Sequence, residues 1–287
     1  MEALKNKLRK SGITKKTILK YINKLRYLRQ TLKLNETIYL VYTMGKVGST
    51  TIQETLDTYL KVGDVFHVHY LSDKGTEHLE KLGFTEASKK VEIIKNIINN
   101  KTAVKIITVT RDPIAKKISG LFQNPWIYGL DEESLTQLTA QEVCEIINQN
   151  LDKFWDSLTW FDEEFFDYTG IDVYSKSFDF NQRKENISQG NIDVLVLRLE
   201  DFKETETITA HLQDFIGEPI KELINGNQTQ NKQSKELYKK TIDMIQFPED
   251  FLKQIYGSKY CNHFYTPTEI NKFWSKWMKS KNLGEVK

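Results

Sequence analysis

The sequence holds little cysteine, no long apolar run and almost no net charge. Two cysteines in 287 residues, Cys144 and Cys261, exclude a disulfide framework and a cysteine-built metal site, and they suit a reducing compartment. No apolar segment approaches the roughly 18 residues that a bilayer crossing needs. Lys5, Lys7, Arg9 and Lys10 break up the first residues, so a secretory signal is not expected. These absences set the expectation of a soluble cytoplasmic protein. There is no internal repeat and no Pro/Gly-rich linker. The net charge is only +2, but it is unevenly placed: residues 1–33 carry eleven Lys or Arg against one acid, a local +10, which leaves −8 for the rest.

The basic stretch reads as an arm over residues 1–35, ahead of a single domain over 36–287. Ile18, Ile22, Leu25 and Leu32 make a helical stripe in it. A peripheral contact with an anionic membrane through residues 1–33, or with an acidic partner, would use its charge. A helix packed on the domain with a solvated basic face explains the same pattern. Nucleic acid is not expected as a partner, because the rest of the chain is acidic and carries no nucleic-acid motif.

What organises the chain is Ile38-Tyr-Leu-Val-Tyr-Thr-Met-Gly-Lys-Val-Gly-Ser-Thr-Thr-Ile52. A β-branched and aromatic run ends at Met44, and a helical pattern through Ile52, Leu56 and Leu60 follows. The pattern predicts strand, glycine loop and helix start. The first N–H groups of a helix lack internal partners and sit at the positive end of its dipole, so such a junction attracts anions. Gly45 and Gly48 would let a phosphate approach the backbone. Lys46 adds a full charge, and Ser49, Thr50 and Thr51 add hydroxyls around Val47. An ordinary β–α turn with a serine cap is the plainer alternative.

Val65 to Leu71 predicts a second strand, on which His67 and His69 share a face. Histidines beside an anion loop are candidates for proton transfer, since imidazole titrates near neutrality. Partly buried polar residues at a strand edge are the plainer alternative, and a metal pair would need a third ligand that no nearby spacing offers. A helix over about 86–99 and a buried strand over 103–110 come next. Arg111-Asp-Pro-Ile-Ala-Lys-Lys-Ile-Ser119 follows, with Pro113 suited to a helix start. It reads as a second cationic site with a hydroxyl two turns into the helix, or as a structural salt bridge of Arg111 with Asp112 or another local acid.

Residues 125–138 read as loop. Helices are expected over about 140–151 and 152–168, the second dense in aromatics and carrying Asp162, Glu163 and Glu164, either a solvated acidic face or a source of a catalytic carboxylate. Residues 181–191 read as an exposed loop and Ile192–Leu199 as a buried strand. Helices over about 205–216, 233–245, 249–257 and 267–279 complete the chain, with a polar loop over 225–235. Strands alternating with helices imply an α/β fold with a parallel sheet and a helical C-terminal half.

Taken together, Tyr42-Thr-Met-Gly-Lys-Val-Gly-Ser-Thr-Thr51 resembles the 5′-phosphosulfate loop of sulfotransferases. Arg111-Asp-Pro-x-x-Lys-x-x-Ser119 resembles their 3′-phosphate segment, and Val196-Leu-Arg-Leu-Glu-Asp-Phe202 their downstream strand and acidic turn. His67-Val-His69 resembles the histidine-bearing strand of uronyl 2-O-sulfotransferases. The chain also looks like bacterial sulfotransferase-like proteins of capsular polysaccharide synthesis, in Trp160-Phe-Asp162 and Tyr256-Gly-Ser-Lys-Tyr-Cys-Asn-His-Phe-Tyr-Thr266. Many sulfotransferases carry proline where Gly45 stands and arginine where Lys116 stands. The resemblance implies a three-layer P-loop-like sulfotransferase fold that binds 3′-phosphoadenosine 5′-phosphosulfate (PAPS) and transfers its sulfuryl group to a hydroxyl, without a required metal. The acceptor would be a carbohydrate or an envelope or capsular glycan. Lys46 and the Gly48–Thr51 segment would hold the 5′-phosphosulfate, Arg111 and Ser119 the 3′-phosphate, and His69, or next His67, would take the acceptor proton.

Two rival readings remain. A P-loop kinase or NTPase would place lysine directly before its magnesium-binding hydroxyl, whereas Gly48 precedes Ser49 here and Lys46 lies three positions upstream of it. A non-catalytic protein of glycan assembly is the other. The intact Lys46, Arg111, Ser119 and histidine pair count against it.

Overall fold

A computed structural model describes residues 36–60, 65–224 and 232–278. The predicted arm, and most of the loop expected over 225–235, lie outside the described residues.

The chain begins with β1 (Thr37–Tyr42), α1 (Ser49–Tyr59), β2 (Val65–Val68), α2 (Asp73–Lys81), α3 (Thr85–Ile98) and β3 (Ala103–Thr110). After these come α4 (Pro113–Leu121), α5 (Glu132–Gln137), α6 (Ala140–Asn148), α7 (Asp156–Trp160) and α8 (Phe166–Thr169). Then follow β4 (Glu185–Gln189), β5 (Ile192–Arg198), α9 (Thr205–Ile216), α10 (Lys232–Met244), α11 (Glu249–Tyr256), α12 (Lys259–Phe264) and α13 (Pro267–Met278). The described residues group into two compact units. One takes the chain up to Thr110, Asp162–Val173 and the segment from Gln182; the other takes Arg111–Phe161, Tyr174–Asn181 and the residues from 232 on.

The first unit contains the whole sheet, in the order β2-β1-β3-β5-β4. The first four of these are parallel, and β4 pairs antiparallel with β5. This is the expected α/β class. The central strands are apolar almost throughout because parallel strands are covered on both faces: Ile38, Leu40, Val41, Ile107, Val109, Val194 and Val196 are fully buried. The links out of β1 and β3 lead to opposite sides of the sheet, β1 to its neighbour β2 and β3 towards β5. In open α/β sheets the crevice at the carboxyl ends of two such strands is where ligands bind.

In the second unit α6 packs on α10 and α11 on α13. A capping box starts α6, where Thr139 and Glu142 exchange side-chain and backbone bonds. Phe247 meets Phe154, Phe251 and Trp277 in this core.

Four local expectations are corrected. Residues 125–138 include a 3₁₀ turn, Pro125–Tyr128, and α5, which Asp131 caps. Within 181–191 lies β4: Asn186, Ser188 and Gln189 are exposed, Glu185 and Ile187 are buried, and the two residues Gly190 and Asn191 join it to β5. The helix expected over 152–168 is instead a 3₁₀ turn, α7, a π turn at Phe161–Phe165 and α8. The strand expected to reach Leu71 ends at Val68, because Ser72 caps α2 and turns the chain.

Candidate functional site

The loop after β1 has the predicted form. Met44 and Val47 are buried and Ser49 opens α1. Lys46 (φ 68°) and Gly48 (φ 86°) are both left-handed, which folds the loop back on itself. A Cβ at Gly48 would stand 2.6 Å from Leu199 Cδ1 and 3.3 Å from Phe202, so glycine meets both a backbone and a packing demand there. Leu199 and Phe202 belong to the acidic turn after β5, which Arg198 fixes: its guanidinium grips the buried Asp201 carboxylate at 2.7 and 3.0 Å. A Cβ at Gly45 would meet nothing within 4 Å. Gly48, the N-cap of α1, offers no side-chain acceptor, and the first turn of α1 holds no acid. The helix start therefore presents donors and positive potential with no carboxylate of its own competing for them.

The same unit brings the histidines to this strand end. His69 lies just past β2, and its Nδ1 is 2.6 Å from the carbonyl oxygen of Thr43, two residues before Gly45. A carbonyl only accepts, so Nδ1 carries the hydrogen and the neutral ring keeps its lone pair on Nε2. His67 Nδ1 meets Gln53 Oε1, on α1, at 3.0 Å. The two rings pack edge to face with centroids 4.7 Å apart, as the shared-face prediction requires.

Glu164, one of three acids left open in the sequence, is buried. It accepts hydrogen bonds from Tyr42, Leu71 and Ser72 in a network behind the histidines. Burial, then the Glu164 charge, pushes the Tyr42 hydroxyl well above its usual pKa. Asp162 and Glu163 are exposed.

The Arg111–Ser119 segment lies in the second unit. Asp112 caps α4 by accepting from Ile114 N at 3.1 Å, and it also takes Tyr256 Oη at 2.9 Å and Trp277 Nε1 at 2.8 Å. Burial pushes its pKa up, and these bonds oppose the rise. Asp112 therefore pairs with Ile114, Tyr256 and Trp277 within the core. Ser119 is part-exposed on α4. Lys116 is buried, 2.9 Å from Ser157 Oγ and 4.0 Å from Asp156. Lys117 holds the same aspartate at 2.6 Å. Burial pulls Lys116 down to about 8; Asp156 opposes this, while Lys117 and Arg111 add to it. Burial would raise Asp156, but Lys116 and Lys117 hold it below the usual carboxylate range.

Sequence reasoning did not single out Ser72, Tyr260, Asp156 or Ser157. For Ser72 the cue was present, a serine followed by an acid ahead of a short helix. A cavity of about 280 Å³ between α9 and the β4–β5 hairpin, lined by Lys105, Lys184, Asp193, His211 and Asp214, includes none of the predicted residues. Lys105 and Asp193 sit near the starts of their strands, away from the carboxyl ends that carry the loop.

Among the described residues no cluster of three or more His, Cys, Asp or Glu could hold a metal ion, and no helix is long and apolar enough to cross a membrane. Compared with protein-family models, curated proteins and solved structures, the chain matches none.

Proposed function

We propose that the chain is a PAPS-dependent O-sulfotransferase with a P-loop-like sulfotransferase fold, acting on a hydroxyl of a carbohydrate, in particular an envelope or capsular glycan. The observation that carries the reading is the His69 Nδ1 bond to the Thr43 carbonyl. It ties a ring with a basic Nε2 to the strand end that feeds the Gly45–Thr51 loop.

The residues fit the donor's 5′ end. The first turn of α1 holds no acid, Lys46 supplies charge, and a Cβ at Gly45 would meet nothing within 4 Å, which favours close approach of an anion. In the transfer the acceptor oxygen bonds to sulfur as the sulfur–oxygen bond to the 5′-phosphate breaks. His69 Nε2 takes the hydroxyl proton, with His67 as second candidate. Lys46 and the α1 N–H groups stabilise the charge on the departing phosphate, commonly the largest catalytic term. Arg111 follows directly on β3 in the chain, and with Ser119 it would bind the 3′-phosphate.

PAPS should raise the melting temperature, and Lys46→Ala or Arg111→Ala should abolish the rise. Labelled sulfate should pass from PAPS to a member of a panel of glycans, lipids and small hydroxylated molecules. No thermal shift in the unmodified protein would overturn the donor, and transfer only to a non-carbohydrate hydroxyl would overturn the acceptor class.

A further inference from the structure

Glu164 is set deep in the first unit by the π turn Phe161–Phe165, whose extra residue per turn lets an acid in an otherwise exposed acidic run face inward. Oε1 accepts from Tyr42 Oη at 2.5 Å, from Leu71 N at 2.5 Å and from Ser72 N at 2.9 Å. Oε2 accepts from Ser72 Oγ at 2.5 Å. Ser72 Oγ in turn accepts from Gly75 N at 2.9 Å and so caps α2. A Cβ on Gly75 would collide with Tyr70 and with Glu164 Oε2, so the glycine inside α2 makes room for this carboxylate.

These donors flank one contact. Tyr42 precedes Thr43, whose carbonyl receives His69 Nδ1–H. Leu71 and Ser72 lie two and three residues beyond His69. One carboxylate thus grips the chain on the acceptor's side and on the ring's side of the same hydrogen bond. The phenol ring of Tyr42 is held further by Phe165, stacked at 5.3 Å, and by Tyr168, edge-on at 6.2 Å.

We propose that Glu164 is a positioning residue for His69: it holds Leu71–Ser72 and Tyr42 together so that the imidazole keeps its Nδ1–H tautomer and presents Nε2. The proposal rests on the reading of His69 as the base. Glu164 acts through His69 and does not touch the reacting atoms. Outer-shell partners that orient a metal-ligating histidine are worth about 10–100-fold, and an indirect partner such as Glu164 is expected in that range.

The test is the ring ¹⁵N pattern of His69 by NMR on the whole chain without donor or acceptor, alongside transfer kinetics. The unmodified protein should show a protonated Nδ1 and a pyridine-type Nε2. Glu164→Ala should lose that pattern and drop kcat by about 10–100-fold while KM for PAPS stays within about twofold. Glu164→Gln keeps a carbonyl oxygen for Tyr42, Leu71 and Ser72, and should restore both readouts most of the way. If Glu164→Ala does not fold, Tyr42→Phe takes its place, with a partial loss of the Nδ1–H signature expected. A folded Glu164→Ala, or failing that a Tyr42→Phe, with the unmodified ring pattern overturns the proposal. So does an equal kcat loss in Glu164→Gln and Glu164→Ala with the ring pattern intact. The NMR arm needs no PAPS, so a protein that fails to bind the donor would sink the sulfotransferase reading while the role of Glu164 is still decided.

Discussion

The Tyr260 hydroxyl brackets the backbone of Arg111: it accepts from the Arg111 N–H at 3.0 Å and donates to the Arg111 carbonyl at 2.9 Å. One buried phenol therefore satisfies both polar groups of the residue proposed to bind the 3′-phosphate. Tyr260→Phe removes both bonds while preserving the ring contacts with Phe161 and Phe264. The cost of leaving such groups unsatisfied is about 1–3 kcal/mol. Urea unfolding should show that loss with an unchanged m-value, and affinity for adenosine 3′,5′-bisphosphate should fall with it. An unchanged midpoint would mean that water replaces the phenol without penalty.

Gly48 and Gly45 should respond unequally to alanine. At Gly48 the positive φ alone costs a side-chain-bearing residue about 1–2 kcal/mol. The clash with Leu199 Cδ1 adds to it, although that atom ends a flexible side chain. Gly48→Ala should thus destabilise by at least that amount, and adding Leu199→Ala should recover little, because the φ term remains. Gly45→Ala has open space and should stay within about 0.5 kcal/mol. Thermal unfolding of the three variants checks the order, and equal effects at both glycines would refute it.

What was legible in the sequence followed from local pattern. β1, β3 and β5 are runs rich in apolar, mostly β-branched residues, and Pro113 marks the start of α4. The β1–loop–α1 junction was readable for the same reason, since glycines, lysine and hydroxyls stand side by side. Glu164 was not, because its partners Tyr42 and Ser72 are 122 and 92 residues away, and its neighbours Asp162 and Glu163 do face solvent. The break in the 152–168 helix has the same origin, since an inward Glu164 comes with the π turn. β4 was missed because only its pairing with β5 makes a strand of so polar a segment.

Lys116 gives a pH dependence with a defined sign. Its folded pKa of about 8 lies below the ordinary lysine value of 10.5, so the unfolded chain binds more protons between those two values. Stability from this group therefore rises with pH through that window. Below about pH 8 both states are protonated, and the full cost of burying the charge, on the order of 3 kcal/mol, is present. Lys116→Met should be more stable than the unmodified protein at pH 7, with the gain shrinking towards pH 10. A bound 3′-phosphate would favour the charged lysine, so adenosine 3′,5′-bisphosphate should bind with proton uptake near pH 8 and weaken as pH rises. Calorimetry in buffers of different ionisation enthalpy measures the uptake, and Lys116→Met should abolish it.

The two histidines separate by what each ring holds. His69 bonds a main-chain carbonyl that no side-chain substitution removes, while His67 bonds the side chain of Gln53. His69→Ala should leave the PAPS-induced melting shift intact and lower transfer by about 10²–10⁴-fold, the usual worth of a general base. The acid limb of the pH–rate profile should disappear with it. His67→Ala removes the ring that packs edge-on against His69, and should cost less while keeping that limb. Gln53→Ala removes the Oε1 contact of His67 Nδ1 and should behave like a mild His67→Ala. If His67→Ala instead abolishes the limb and His69→Ala keeps it, the base is His67, and the Thr43 hydrogen bond serves only to fold the strand end.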